Sequence, residues 1–511
     1  MSKTKDCTIE YEDCGVVHET CDVLVVGAGP GGLAAAKSAR DAGAEHVLLI
    51  ERDDRAGGIL NQCIHDGFGI VRYRKQLTGP EYALRAGQEA EASGIELLTG
   101  CHVLRIDAQD EQERAHTHAT ARTHTPARTY ARTHAYVVTV VSADGLKQIE
   151  AGAVVIATGC RERTRGAIAI PGSRPAGVFT AGVTQNFVNI RNIMPGKKVV
   201  VFGSGDVGMI MARRLSLEGA KVEAVIEILP QPAGLSRNVS QCLYDYEIPI
   251  FCSHTVSKII GKKRLEAVEI SELDESMQPI KGTERLIACD TLVLSVGLIP
   301  ENEVAQTAGI ELDARTNGMI TDQYLQTNVE GIFACGNARR IMDLADFVSE
   351  QGELAGRNAV AFLNGTEMGE WDEARTSSMA KGFPKEGVVT CTLCPTGCQV
   401  RYNETLGDYE GNKCKRGAAF AEQERVAPQR ILTTTMKAAG GKKDGRGGSY
   451  VSKLLPVRST EPVSKRNLPQ LVQELSEITV EPPIKCGDVV AEIQDGEKTV
   501  AIAATADCDL K

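Results

Sequence analysis

One pattern occurs twice in this chain and leaves few folds open to it. Residues 22–51, DVLVVGAGPGGLAAAKSARDAGAEHVLLIE, read as apolar strand, glycine turn, alanine-rich helix and second strand. Residues 198–227, KVVVFGSGDVGMIMARRLSLEGAKVEAVIE, repeat the order. Strand–helix–strand units of this kind build parallel sheets covered by helices, so two of them predict two doubly wound α/β domains. The glycines are spaced for a diphosphate. Gly27 makes the tight turn, Gly29 lets backbone approach a pyrophosphate, and Gly32 lets the helix pack on the strand. The helix N-terminus offers free N–H groups and partial positive charge to the phosphates. Glu51 ends the second strand, where a carboxylate accepts ribose hydroxyls.

In the second unit Gly203, Gly205 and Gly208 take the same parts and Glu227 closes the strand. An acid there accepts ribose hydroxyls and repels a 2′-phosphate. Ile228 and Leu229 follow it, with no Arg, so the expected ligand is NAD(H) ahead of its phosphorylated form.

The 511 residues suit three or four domains, with 42% hydrophobic and 24% charged residues, an ordinary globular balance. A net charge of −10 argues against nucleic acid as the main partner. No apolar run reaches the roughly 18 residues of a membrane span. The first residues carry Asp6, Glu10, Glu12, Asp13, Glu19 and Asp22, unlike a basic, apolar export signal, and the cytoplasm is the expected location. Residues 114–134 are a tract of Arg, Ala, His and Thr with one Pro and one Tyr, which reads as an insertion at a surface hairpin between the strands CHVLRIDA and YVVTVVSA. Residues 366–388 turn polar and read as a linker, and 440–449 as a second flexible insertion. The last 60 residues hold a helix over 468–478 and the strands DVVAEI and TVAIAAT.

With these motifs the chain resembles the glutathione-reductase-like flavoproteins of the pyridine nucleotide-disulfide oxidoreductase superfamily. Ala157-Thr158-Gly159 resembles that family's first crossover between domains, and Gly297 with Leu298-Ile299-Pro300 the second. Gly336-Asn337, after GIFAC, resembles its late FAD motif, where the family has Gly-Asp. An amide still hydrogen-bonds a hydroxyl. The resemblance implies FAD at the Gly27 loop, with Gly58 beside it, and NAD(H) at the Gly203 loop. It also implies a nicotinamide domain inserted within the FAD domain, and a homodimer as a common state. Glu350-Gln351-Gly352 reads as the opening of a helix aimed at the flavin.

Disulfide reductases of that family carry Cys-x4-Cys after a Gly-Gly. Here Gly57-Gly58 leads to a single Cys63, then His65, and dithiol exchange needs two thiols. Cys63 and His65 stand as a candidate redox or proton-relay pair, since a nearby imidazolium favours thiolate; alternatively they pack and hydrogen-bond the loop. This run, with ATGCRERTRG and LSVGLIPENE, is similar to NAD-dependent flavoproteins that accompany glycerol-3-phosphate dehydrogenases and are related to subunits of amine- and opine-oxidising complexes. That resemblance implies electron exchange between NAD and a partner dehydrogenase or acceptor protein.

Four of the sixteen cysteines cluster as Cys391-x2-Cys394-x3-Cys398-x15-Cys414. Soft thiolates at such spacing suit an iron–sulfur cluster or zinc. Zinc modules more often use two Cys-x2-Cys knuckles, and the three-plus-one arrangement favours [4Fe–4S]. The run CKRGAAFAEQERVAPQR resembles the iron–sulfur module of molybdopterin oxidoreductases.

The expected architecture is therefore an FAD-binding domain over 20–165 with an insertion at 111–135, a NAD-binding domain over 175–287, a second FAD segment over 288–365, a linker over 366–388, and a Cys-rich α+β domain over 389–511. The expected function is FAD-dependent NAD(H) oxidoreduction passing electrons to the cluster and a partner. The alternatives are an NADH oxidase or peroxide reductase using Cys63, and a flavoprotein whose zinc-binding tail docks a partner.

Overall fold

The computed structural model describes residues 17–109, 135–376, 379–405, 407–439 and 453–509. The insertions expected at 114–134 and 440–449 lie outside them. Their flanks are antiparallel pairs, His102–Ala108 with Tyr136–Ser142 and Thr433–Ala438 with Lys453–Ser459.

The first fingerprint strand, Val17–Val26, pairs in parallel with Val47–Ile50 on one side and Gly145–Ile156 on the other. Its apolar run serves two faces, because successive strand residues point to opposite sides. Val23 and Val25 join one core with the helices Pro30–Asp41, Gly79–Ala92 and Ala345–Asn364. Leu24 and Val26 join a second core under the antiparallel strands. The last parallel strand, Ile332–Ala334, arrives late in the sequence and pairs with Val154–Ile156.

Between these segments lies the second sheet, all parallel, in the order Val178–Thr180, Thr291–Leu294, Lys198–Phe202, Lys221–Ile226, Ile250–Phe251. An antiparallel sheet of His254–Gly261, Leu265–Glu272 and Arg285–Ala288 packs beside it. The chain passes between domains on two adjacent strands, Cys160–Glu162 and Leu298–Pro300. The nicotinamide-type domain is thus inserted in the FAD-type domain, as expected.

Two expectations need correction. Thr291–Leu294, assigned to the second FAD segment, is an inner strand of the inserted sheet with all four residues buried. The exit falls at Gly297, whose φ of 105° turns the chain out. The helix expected to open at Glu350 begins at Ala345. Its first turn is fixed by Asp346, which accepts the Gly69 N–H at 3.1 Å and the Arg72 N–H at 2.9 Å, contacts with a distant loop that local sequence does not announce.

The tail is built in two parts. Val389–Thr390, Gln399–Asn403 and Asp408–Glu410 form a small antiparallel sheet against the helix Lys415–Val426. A five-stranded sheet follows, carrying the helix Leu468–Glu477 and its own core of Leu432, Met436, Leu455, Val457, Leu471 and Ile502. The expected strands are Val489–Asp495 and Lys498–Ala504.

The tail touches both larger domains. Arg458 donates to the Gln76 carbonyl at 2.9 Å and pairs with Glu81. Arg430 and Lys465 reach Asp245 of the inserted domain at 2.8 and 3.0 Å. No described helix is long and apolar enough to cross a membrane.

Candidate dinucleotide and thiol sites

Sterics show why Gly27 and Gly32 of the first fingerprint are required. A Cβ on Gly27 would lie 2.6 Å from the Ala157 carbonyl oxygen, and one on Gly32 only 1.7 Å from that of Gly27. Crossover and turn are therefore in backbone contact. Gly29 and Gly159 differ: nothing lies within 4 Å of where their Cβ atoms would stand. Gly58, at φ 53°, folds its backbone so that its would-be Cβ lies 3.2 Å from the Gly29 Cα.

The helix Pro30–Asp41 has no side-chain cap at its N-terminus, so its first N–H groups are free for a phosphate. The Thr158 hydroxyl is buried without a hydrogen-bond partner. An open backbone cradle, an uncapped helix and an orphaned hydroxyl fit a bound dinucleotide.

Glu51 is 5% exposed and accepts the Ala28 N–H at 2.8 Å and the Asp53 N–H at 2.9 Å, one on each oxygen. An ionised carboxylate has about four acceptor positions, so one on each oxygen remains for a ribose hydroxyl. Glu227 is more committed. One oxygen accepts both the N–H and the hydroxyl of Ser204, and the other accepts the Leu229 N–H at 2.9 Å.

The second loop is tighter as a whole. A Cβ on Gly203 would meet the Ser295 carbonyl oxygen at 2.0 Å, one on Gly208 the Ser295 Cβ at 2.6 Å, and one on Gly205 the Ser295 Oγ at 3.1 Å. Ser295 also accepts the Gly208 N–H at 3.2 Å, a role that no motif signalled.

The remaining expected contacts sit around the first loop. Gly336 donates its N–H to Gln351 Oε1 at 2.7 Å, and the Nε2 of that buried side chain has no partner. Asn337 accepts the Met342 N–H at 2.9 Å and donates to Cys160 Sγ at 3.5 Å, leaving one amide hydrogen uncommitted. Gly297 lies on the second crossover, nearest Arg163.

A signal missed in the sequence is Gly352-x3-Gly356. Cβ atoms there would come within 2.1 Å of the Gly31 and Ala35 carbonyl oxygens. Two helices cross there backbone to backbone.

Cys63 is 8% exposed and donates its thiol to Gln185 Oε1 at 3.6 Å. Burial pushes it up to about 12. Burial first, then Arg237 and Arg213, brings the His65 imidazole down to about 4 against the opposing pull of Asp66, and its ring packs on Phe68 with centroids 5.1 Å apart. At neutral pH the pair is thiol and neutral imidazole, so the thiolate–imidazolium form is not its resting state.

Cys394, Cys398 and Cys414 all lie near Cys391. Cys391 donates its N–H to the Cys398 carbonyl at 2.8 Å, closing a loop through Cys394. Cys414 caps the helix Lys415–Val426 and its carbonyl accepts from Asn412. Cys391 is buried and its thiol is raised by burial first and then by the charges of Cys394, Cys398 and Cys414. The apolar core beneath them is small, with Cys391, Val400 and Ala421 its buried members. Val389, Leu393, Tyr409 and Phe420 pack against it, partly buried.

No three of the four sulfurs lie within 4.8 Å of one another. Among the described residues the one group that tight is Glu19, His46 and Glu96, at the far ends of the parallel strands, where Lys147 already pairs with Glu19 at 2.9 Å.

Two dinucleotide folds, one inserted in the other and joined by paired crossovers, define the two-domain nucleotide-linked oxidoreductase class. The chain belongs to the pyridine nucleotide-disulphide oxidoreductase family, whose pattern matches residues 21–352. Residues 415–505 match a family described as a protein of unknown function (DUF1667). That match begins directly after Cys414.

An opine oxidase component from Agrobacterium tumefaciens (strain Ach5) is 28% identical over 357 residues, covering 67% of this chain and 66% of the relative. The component of the same name from Rhizobium meliloti is 27% identical over 364 residues, covering 68% and 64%. The chain thus spans just under two thirds of these relatives' length. The solved thioredoxin reductase of T. acidophilum superposes with a TM-score of 0.52 at 22% identity, covering 68% of this chain and 98% of that one, a likeness of fold.

Proposed function

We propose that this chain is an FAD-dependent NAD(P)H oxidoreductase that exchanges electrons between NADH, FAD, a [4Fe–4S] cluster held by Cys391, Cys394, Cys398 and Cys414, and a partner dehydrogenase or acceptor protein. The observation that carries it is the open cradle at Gly29 and Gly159 beside the orphaned Thr158 hydroxyl, within a family of nucleotide-linked oxidoreductases. FAD, when bound, takes a hydride as two electrons and releases them singly.

The chain's own groups supply binding and orientation. The uncapped helix after Gly29 would hold the pyrophosphate, and the two free acceptor positions of Glu51 suit ribose hydroxyls. Asn337 has one N–H left for the flavin side chain. Glu227 supports NADH over NADPH by repelling a 2′-phosphate, with a single acceptor position left for the ribose. The three-plus-one spacing of the cysteines, unlike two Cys-x2-Cys knuckles, supports a cluster over zinc. The relatives named as parts of an oxidase support a partner chain, and an oxidase or dehydrogenase of a small hydroxy or amino acid, or of glycerol 3-phosphate, is the class in view. A homodimer and a cytoplasmic location accompany this reading.

The test is iron and acid-labile sulfide analysis together with anaerobic NADH titration followed by visible absorbance and EPR. Flavin bleaching with the rise of a reduced-cluster signal is expected. Zinc without sulfide would sink the relay, and an unbleached or absent flavin would sink the whole reading.

A further inference from the structure

A cavity of about 20 Å³ lies where three parts of the chain meet. His65 reaches it from the loop after Cys63, Asn189 and the neighbouring Arg213 and Arg214 from the inserted domain, and Thr433 from the first strand of the tail sheet. Arg214 is fully committed: it donates to Asn189 at 3.0 Å, Thr434 at 3.0 Å and Thr435 at 3.2 Å, and pairs with Glu218 at 2.8 Å.

Arg213 is not. Its Nε is buried with no hydrogen-bond partner, and no described carboxylate is bonded to its guanidinium. The acids nearby are otherwise engaged. Asp66 accepts from Gln76, Glu218 pairs with Arg214, and Asp206 accepts the Leu235 N–H and the Asn238 amide. A buried guanidinium N–H without an acceptor carries an uncompensated desolvation cost. His65 adds a neutral ring nitrogen on the facing wall, and His65, Ile210 and Arg213 are only half-buried, so the cavity reaches the surface.

We propose that this cavity seats a carboxylate group, and that the tail sheet serves to wall it. A guanidinium edge matches the two oxygens of a carboxylate in a planar fork. The volume suits one small planar anionic group, not a phosphate or a whole substrate. Anion binding here stands on protein geometry alone. That the carboxylate is the acid end of the molecule oxidised or reduced beside the Cys63–His65 loop rests on the flavoprotein reading above.

The test uses the full chain as purified, titrated with sodium formate, sodium acetate, sodium phosphate and sodium chloride at constant ionic strength and read by the midpoint of thermal unfolding. Formate or acetate raises the midpoint saturably, and phosphate and chloride do not. Arg213→Gln raises the half-saturating concentration by about tenfold, the loss of one charge-assisted bond. Arg401→Gln, on an exposed strand outside the cavity, leaves it unchanged. No saturable response to either carboxylate, an equal response to phosphate, or an Arg213→Gln curve that overlays the parent's would overturn the proposal. If Arg213→Gln does not fold, Thr433→Val, which removes only a hydroxyl from the wall, decides in its place: a weakened response upholds the tail's part and an unchanged one overturns it. A chain purified without flavin absorbance defeats the flavoprotein reading while the anion titration still reads out.

Discussion

Burial acts in opposite directions on two residues that are almost adjacent. It moves the Cys63 thiol up to about 12 and the His65 imidazole down to about 4, and leaves both uncharged at neutral pH. For His65 the consequence is a stability slope. The unfolded chain protonates its histidine below about pH 6.5, while the folded chain resists until about pH 4. Stability therefore falls as pH drops through that window, by up to about 3 kcal/mol at roughly 1.4 kcal/mol per pKa unit. Denaturant unfolding of the parent and His65→Gln between those limits checks it; equal acid-side slopes would count against the neutral ring. For Cys63 the consequence is kinetic. A thiol held protonated is a poor nucleophile. Cys63→Ser is expected to keep both flavin reduction by NADH, in stopped-flow absorbance, and any NADH-dependent peroxide turnover within about twofold, while a peroxide-reducing role for this thiol demands that the turnover be lost.

At the scale of elements, the turn between strand and helix is the least forgiving part. Gly32→Ala drives a Cβ to 1.7 Å from a backbone oxygen, so the helix must leave the strand. A loss of about 3 kcal/mol, the upper end for overpacking, and purification without flavin colour are expected. Gly87 is the contrast. It lies inside the helix Gly79–Ala92 with nothing within 4 Å of its would-be Cβ, and Gly87→Ala is expected to add about 0.5–1 kcal/mol in thermal or denaturant unfolding.

The same elements show what a sequence reveals. The fingerprints are legible because glycine spacing, apolar run and closing acid all report one local geometry. Strand Thr291–Leu294 reads into the wrong sheet because its partner, Val199–Phe202, is remote in sequence and TLVL fits either sheet. The start of the helix at Ala345 is hidden for a similar reason: Asp346 is buried as a cap for the loop at Gly69–Arg72, and an acid followed by Phe and Val looks like surface until that loop is placed. Arg213 and Arg237, which both act on His65, have no spacing to betray them, since they come from separate elements.

For the whole molecule, the tail acts as a brace between the two dinucleotide folds. Its polar anchor is largely buried: Arg430 pairs with Asp245 at 2.8 Å and Glu424 at 2.6 Å, and Lys465 joins Asp245 at 3.0 Å. Removing one partner leaves a buried cation short of charge. Asp245→Asn is expected to cost about 3 kcal/mol, the low end for a broken buried pair because Glu424 still faces Arg430. It should appear as an earlier, separate unfolding step of the tail, and a single unchanged transition would argue against the brace.

The strand Ile332–Ala334 has one more consequence, for the order of synthesis. A ribosome delivers Val17–Ile156 first, but the parallel partner of Val154–Ile156 emerges only after the entire inserted domain. Of the two dinucleotide folds, the inserted one, its sheet completed by Thr291–Leu294, is the first whose strands are all available. The N-terminal half must wait with Val154–Ile156 unpaired on one side, an aggregation hazard for a nascent chain. The nucleotide fold whose synthesis begins first is thus the last of the two to be finished.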